Sequence, residues 1–163
     1  MSFESSHFRQ VLGHFPTGVT IVTGMTDHGP AGVTIGSFTS VSLDPPLVGF
    51  LPMESSLSWQ AIRPTGKFCV NVLAADHGDL CWKFAKPPET ERFNDVRWTA
   101  APSGCPIIDG AVAWIDCTVE DVITMGDHLF VLGRVHDLDK WDGEEPRPLL
   151  FFRGKLGEFS QLA

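Results

Sequence analysis

Apolar and polar positions alternate most regularly in the last third of the chain. The segment "GAVAWIDCTVEDVITMGDHLFVLGRVHDL" keeps a period of two on both sides of Gly126-Asp127. That pattern predicts two antiparallel strands, and glycine at the first central position predicts a type II′ turn between them. Further β-branched runs predict strands at "TGVTIVTG", "AGVTIGSFTSVSLDPP", "LVGFLPM" and "GKFCVNVL", with "DHGP" as a turn and "PLLFFRGKLGEF" as a final strand and tail. Helical spacing is confined to three short stretches. Phe8, Val11, Leu12 and Phe15 follow a serine pair able to cap, "SSLSWQAIR" stops at Pro64, and "ADHGDLCWKFA" has Asp76 as its cap with Asp79 three residues on. The intervening "KPPETERFNDVRWTAAPSGCPIIDG" is a long proline-rich loop, of the kind that covers something. Six or more antiparallel strands with few helices predict a mostly β, closed or nearly closed barrel. The βαβ alternation is too poor for a dinucleotide-binding fold.

The strand expected over Ala31–Pro46 has an unusual face. Val33, Ile35, Ser37, Thr39, Val41 and Leu43 alternate with Thr34, Gly36, Phe38, Ser40 and Ser42. The second set is small and hydroxylic apart from Phe38. Small side chains let a planar ring lie against the backbone, whose N–H and C=O groups can then read its polar edge, and hydroxyls add donors. The alternative is an edge strand with solvated Ser and Thr. One strand later, "MESSLSW" sets Glu54, Ser55 and Ser56 at a predicted helix start, which suits a phosphate or a plain N-cap.

Composition narrows the picture without changing it. The 163 residues suit one domain spanning 1–163. A net charge of −8 with no run of Lys or Arg argues against a nucleic-acid partner. No apolar run approaches bilayer length, and "MSFESSHFRQ" lacks the features of a secretory signal, so a cytoplasmic, non-membrane protein is expected. Cys69, Cys81, Cys105 and Cys117 lie far apart, which fits neither a zinc site nor a disulfide framework. "RPTGKF" lacks the first glycine and the Ser/Thr of a P-loop, and the motifs of hydrolases and zinc proteases are missing. Among six histidines, His128 stands out, because the hairpin turn holds it rigidly beside Asp127.

Five segments together resemble the short-chain flavin reductase family, the NAD(P)H:flavin oxidoreductases that serve two-component monooxygenases. They are "FPTGVTIVT", "GVTIGSFTSVSLDPPLV", "GKFCVNVL", "GDHLFVLGRV" and "PLLFFRGK", and they follow the family's order along nearly the whole chain. The resemblance implies an antiparallel Greek-key split β-barrel that binds FMN or FAD, works with NADH or NADPH, forms a homodimer, and passes reduced flavin to an oxygenase component. It implies flavin contacts at Gly32, Val33, Thr34, Ile35, Gly36 and Ser37, with Thr39 and Ser40 nearby. It implies Glu54, Ser55 and Ser56 at the phosphate end, and Lys83, Phe84 and Ala85 beside the flavin. It also implies His128 facing the nicotinamide, and Phe152, Arg153, Gly154 and Lys155 holding that dinucleotide. Gly36 stands where the family often carries a larger polar residue, and "MESSLSW" matches the usual phosphate stretch loosely, which leaves FMN against FAD open.

Hydride transfer between two stacked rings requires neither a strong base nor a nucleophile, so the scarcity of acid/base motifs agrees with this reading. Three rivals remain at this level. One is a split barrel that binds flavin or haem without turnover, one an oxidoreductase with FMN as a fixed prosthetic group, and one an adaptor barrel.

Overall fold

The computed structural model describes residues 3–143 and 145–162. Helix α1 (Ser5–Leu12) leads into strands β1 (Thr17–Gly18), β2 (Thr20–Thr26), β3 (Gly29–Ile35), β4 (Thr39–Leu43) and β5 (Pro46–Phe50). Next come α2 (Leu57–Ile62), β6 (Lys67–Val72), α3 (Gly78–Ala85), β7 (Trp98–Ala100) and β8 (Pro106–Ile108). The long hairpin β9 (Ala113–Met125) and β10 (His128–Lys140) is followed by β11 (Leu149–Phe152) and β12 (Lys155–Glu158). The protein is mostly β with few short helices, all ladders antiparallel. Among the described residues no helix is long and apolar enough to cross a membrane.

Seven strands form one sheet in the order β3-β2-β6-β9-β10-β5-β4. Its two edge strands, β3 and β4, are consecutive in the chain and joined only by Gly36–Phe38. Three linking residues span at most about 15 Å, whereas the edges of a flat seven-stranded sheet lie roughly 29 Å apart. The sheet therefore curls until its edges nearly meet, giving a barrel split between β3 and β4. The stretch expected to be one strand from Ala31 onward is thus two strands on opposite edges, and its two-face alternation is interrupted at Gly36–Phe38. Phe38 leaves the small-residue face and packs on the core.

Inside the barrel Phe50, Trp59 and Phe68 are fully buried and meet edge to face, with Phe50 centroids 5.3 Å from Trp59 and 5.1 Å from Phe68. Burying rings of this size contributes roughly 2–3 kcal/mol each. A second cluster of Val19, Ile21, Leu73, Phe84 and Leu149 fills the space beneath α3, outside the barrel. Asn71 links the two regions to β8: its amide donates to the Ile21 and Pro106 carbonyls while its oxygen accepts from the Ile108 N–H at 2.8 Å. The four cysteines are free and buried, and burial raises their thiols, Cys117 to about 12.

The β9–β10 hairpin closes on Met125↔His128 with Gly126 at φ +67° and Asp127 at negative φ, as the type II′ reading requires. Register shifts at Leu132/Gly133 and Val135/Asp137 bend its long strands around the barrel. Elsewhere the local expectations need revision. The α1 N-cap is Glu4 without a side-chain bond, so the serine pair does not cap, and Phe8, Val11, Leu12 and Phe15 are exposed instead of packed. His77, not Asp76, precedes α3, and its Nδ1 accepts from the Ala74 N–H. The final segment is two strands: Arg153 and Gly154, at φ 50° and 77°, form the tight turn between β11 and β12.

Candidate functional site

The mouth of the split opens into a cavity of about 610 Å³. One wall is the end of β3 and its continuation, Val33 to Ser37; the facing wall is Leu51–Met53 and Ser55–Leu57 after β5, with His128 at the rim. Ala85 at the end of α3 and Glu89 and Arg92 from the proline-rich loop complete it. The loop expected to cover something thus contributes two residues to this wall.

Strand β3 sits at a sheet edge, so half of its backbone groups face away from β2. The pair Thr26↔Gly29 closes a two-residue hairpin, which makes it a doubly hydrogen-bonded pair. Counting along the ladder, Ala31, Val33 and Ile35 also bond to β2, while Pro30, Gly32 and Thr34 present their polar groups outward. Pro30 has no N–H to lose, and the Gly32 carbonyl accepts from Arg92 Nη1 at 2.9 Å. The Thr34 backbone, next to the cavity, is left to bond something else. This main-chain edge, flanked by the exposed Gly36, is what a flat polar ring edge can be read against. A Cβ at Gly36 would meet only Thr17 Oγ1, at 3.4 Å.

The hydroxyls expected to serve a ligand are mostly engaged in holding the site. Thr34 Oγ1 donates to the Cys81 carbonyl at 2.7 Å, which pins β3 to α3. Ser37 Oγ donates to the Leu51 carbonyl and accepts from the Leu51 N–H at 2.9 Å, so it bridges the split itself. Ser56 Oγ accepts from the Trp59 N–H as the N-cap of α2. Of the four hydroxyls that line the cavity, only that of Ser55 lacks a protein partner among the described residues.

Val33, Thr34, Ile35, Gly36, Ser37, Ser55, Ser56, Ala85 and His128 therefore line one cavity. The remaining candidates lie elsewhere. Gly32 is buried beneath Phe84, whose Cε1 would stand 2.7 Å from a Cβ there, and Phe84 is itself fully buried. Both are packing residues behind the wall. Thr39 and Ser40 are exposed on β4, the opposite edge. Glu54 joins the hairpin turn through its N–H to the Asp127 carbonyl, outside the lining. Lys83 donates to the Asn94 carbonyl over a separate hollow that also holds Asp79 and Asp95. Phe152, Arg153 and Lys155 border another groove of about 640 Å³ with Pro16 and Leu150, and Gly154 completes their turn.

Sequence reasoning missed Leu51, Pro52, Met53, Leu57, Glu89 and Arg92. Arg92 matters most. It is 5% exposed, and its guanidinium reaches Lys86 and Gly32 carbonyls, Ser58 Oγ at 2.7 Å and Glu89 Oε1 at 3.3 Å. Burial lowers its pKa from the ordinary arginine value, opposed by the Glu89 carboxylate. No motif in the sequence flags it, because its partners lie up to 60 residues away.

At the rim, His128 Nδ1 lies 2.7 Å from Asp127 Oδ1, and the hydrogen bond from His128 holds the Asp127 carboxyl below the usual carboxylate range. A carboxylate only accepts, so the proton of this bond sits on Nδ1. In the neutral imidazole, Nε2 is then an acceptor. The described residues of the cavity hold no nucleophile paired to a base. The arrangement can bind and orient flat, polar-edged molecules.

Comparison with known proteins gives a consistent result. A family model described as "Flavin reductase like domain" matches residues 12–160. A flavin reductase of Pseudomonas putida is 47% identical over 162 residues, covering 99% of this chain and 94% of its own. The reductase subunit HsaB of a flavin-dependent monooxygenase from Mycobacterium tuberculosis is 46% identical, covering 90% of this chain and 78% of its own. An NADH:FAD oxidoreductase of Streptomyces globisporus, solved with NAD and FAD fragments, superposes with a TM-score of 0.89 at 36% identity, covering 96% and 93% of the two chains.

Proposed function

The chain belongs to the flavin reductase-like family, and on that premise we propose that it transfers a hydride from NADH or NADPH to FMN or FAD and supplies the reduced flavin to a partner monooxygenase. The observation that carries this reading is the cavity itself: a main-chain wall at Thr34–Ser37 facing His128, with no nucleophile paired to a base among the described residues. The cavity fits the flavin on two counts. Its volume is in the range of small-molecule sites, and its wall offers unpaired backbone groups where a bulky side chain would block a ring.

When bound, the flavin ring supplies the hydride acceptor. The chain's residues orient and exclude. Ser37 and Thr34 hold the wall at a set distance from Leu51 and α3 through their hydroxyls. Met53 and Leu57 supply an apolar lip that sheds water. His128, fixed by Asp127, presents Nε2 as an acceptor for the N–H of a nicotinamide carboxamide. This positions the nicotinamide and leaves the proton inventory of the reaction unchanged. Replacing His128 by Ala is expected to raise KM for NADH about tenfold, equivalent to ~1.4 kcal/mol, with the flavin KM within twofold. Unchanged KM and turnover for NADH would remove His128 from the site.

The decisive assay is NADH consumption by purified protein with and without added FMN or FAD. The expected rate is negligible without flavin and saturates as flavin is added. Protein that stays yellow and consumes no NADH would instead be a binding module. A rate that saturates without added flavin would mean a fixed prosthetic group. We further propose a cytoplasmic homodimer; the exposed apolar side chains of α1, Phe8, Val11 and Leu12, support the dimer.

A further inference from the structure

His128 has a methionine on either side of it. On one side of β10 it pairs with Met125 of β9, and on the other an isolated antiparallel bridge sets it opposite Met53. Residues directly opposite in antiparallel strands share a face, so Met53, His128 and Met125 form one row at the rim of the cavity. The hydrogen bonds fix their spacing. Glu54 N–H donates to the Asp127 carbonyl and Leu129 N–H to the Pro52 carbonyl. Met53 and His128 are therefore a non-hydrogen-bonded pair, the type whose Cα atoms approach to about 4.5 Å. Met125 and His128 close a two-residue loop as a hydrogen-bonded pair, about 5.5 Å apart.

The row carries the donors of a soft cation. His128 gives its Nδ1 proton to Asp127, which leaves the Nε2 lone pair with no partner among the described residues. An imidazole whose other nitrogen is anchored on a carboxylate is the usual form of a metal-ligating histidine. Met53 is 53% exposed and Met125 49%, so both flexible thioethers can turn toward Nε2. The other methionine among the described residues, Met25, lies away from this row on β2. Among the described residues no group of three His, Cys, Asp or Glu could hold a metal, so a hard or borderline divalent ion lacks its ligand set. One nitrogen and two neutral thioethers suit a soft monovalent ion. The Asp127 carboxylate behind the imidazole compensates its charge.

We propose that Met53, His128 and Met125 bind a soft monovalent cation, copper(I) or silver(I), through Nε2 and the two sulfurs, and that the bound ion inhibits the reductase by occupying the nitrogen that orients the nicotinamide. No electron moves, because the ion binds already monovalent. The metal site stands on the row alone. The inhibition rests on the reading of His128 as the nicotinamide contact.

Silver nitrate, added to protein labelled with carbon-13 at the methionine methyls in buffer free of chloride and thiols, reads the site by NMR. One equivalent is expected to shift the Met53 and Met125 signals together and leave Met25 in place, while one equivalent of zinc sulfate shifts none of them. Met25 is the internal control, since its backbone faces the buried Cys105 thiol and its signal reports silver taken up there. Met125→Leu nearly conserves volume and lies outside the cavity lining, so without silver its reductase activity should equal that of wild type. Its silver affinity should fall at least about tenfold. One equivalent of silver should raise KM for NADH at least about tenfold in wild type and less than about twofold in Met125→Leu. Movement of Met25 alone, no movement at all, or an equal response to zinc would overturn the site. Shifts at Met53 and Met125 with an unchanged KM for NADH would overturn the inhibition. A protein that binds silver as expected but reduces no flavin keeps the site and removes the functional reading instead.

Discussion

Ala85→Trp is expected to abolish flavin reduction while leaving the protein folded. Ala85 is the last residue of α3, exposed, and on the cavity wall. Its side chain holds up nothing, so a larger residue there has little to disturb in the core, and surface changes of this kind stay within about 0.5 kcal/mol. An indole projected into a cavity of about 610 Å³ takes the space a ring would occupy. The flavin KM should rise at least ~100-fold, or ~2.7 kcal/mol, while the melting temperature measured by circular dichroism shifts by no more than about 3 °C. Retention of the wild-type flavin KM within threefold would mean that flavin binds somewhere other than this cavity.

Gly32→Ala should have the opposite signature, a large loss of stability from a single methyl. A Cβ at Gly32 would lie 2.7 Å and 2.9 Å from two atoms of the Phe84 ring and 3.3 Å from Phe93. The two rings are packed edge to face at 5.0 Å, and Phe84 is fully buried, so the Phe84 ring cannot swing into solvent. Moving β3 instead would stretch the bond from Arg92 to the Gly32 carbonyl. Overpacking of this kind costs about 1–3 kcal/mol, and the double obstruction puts Gly32→Ala at the upper end. Gly36→Ala, four residues along, is the control: its Cβ would meet one atom at ordinary contact distance, so the change should stay within about 0.5 kcal/mol. Urea midpoints of the two variants test the contrast. Equal stability would show that Phe84 yields freely and that glycine at position 32 serves the ligand after all.

These two glycines show how far the pattern could be read. The absence of bulk on the face that carries Gly32, Thr34 and Gly36 was legible, and it marks a close approach of backbone to something flat. What approaches differs by position: Phe84 covers Gly32, whereas Gly36 opens to the cavity. Sequence alone does not separate them, because both fall on the same small-residue face of the expected strand. The hydroxyls mislead for a similar reason. Thr34 and Ser37 sit where a ligand could use them, yet their partners are the carbonyls of Cys81 and Leu51, and those distances are set by the barrel.

By itself the sequence determined what depends on near neighbours. Alternation over residues 110–138 and a glycine able to take positive φ were enough for the β9–β10 hairpin and for His128 at its mouth, since side-chain period and turn geometry are properties of a few adjacent residues. Tertiary structure alone decided where the barrel splits, that β3 and β4 are opposite edges of one sheet, and that Arg92 meets Gly32 across 60 residues of chain. Those outcomes follow from curling a seven-stranded sheet over two apolar clusters, and that packing is shared among residues from every part of the chain and carried by no single segment.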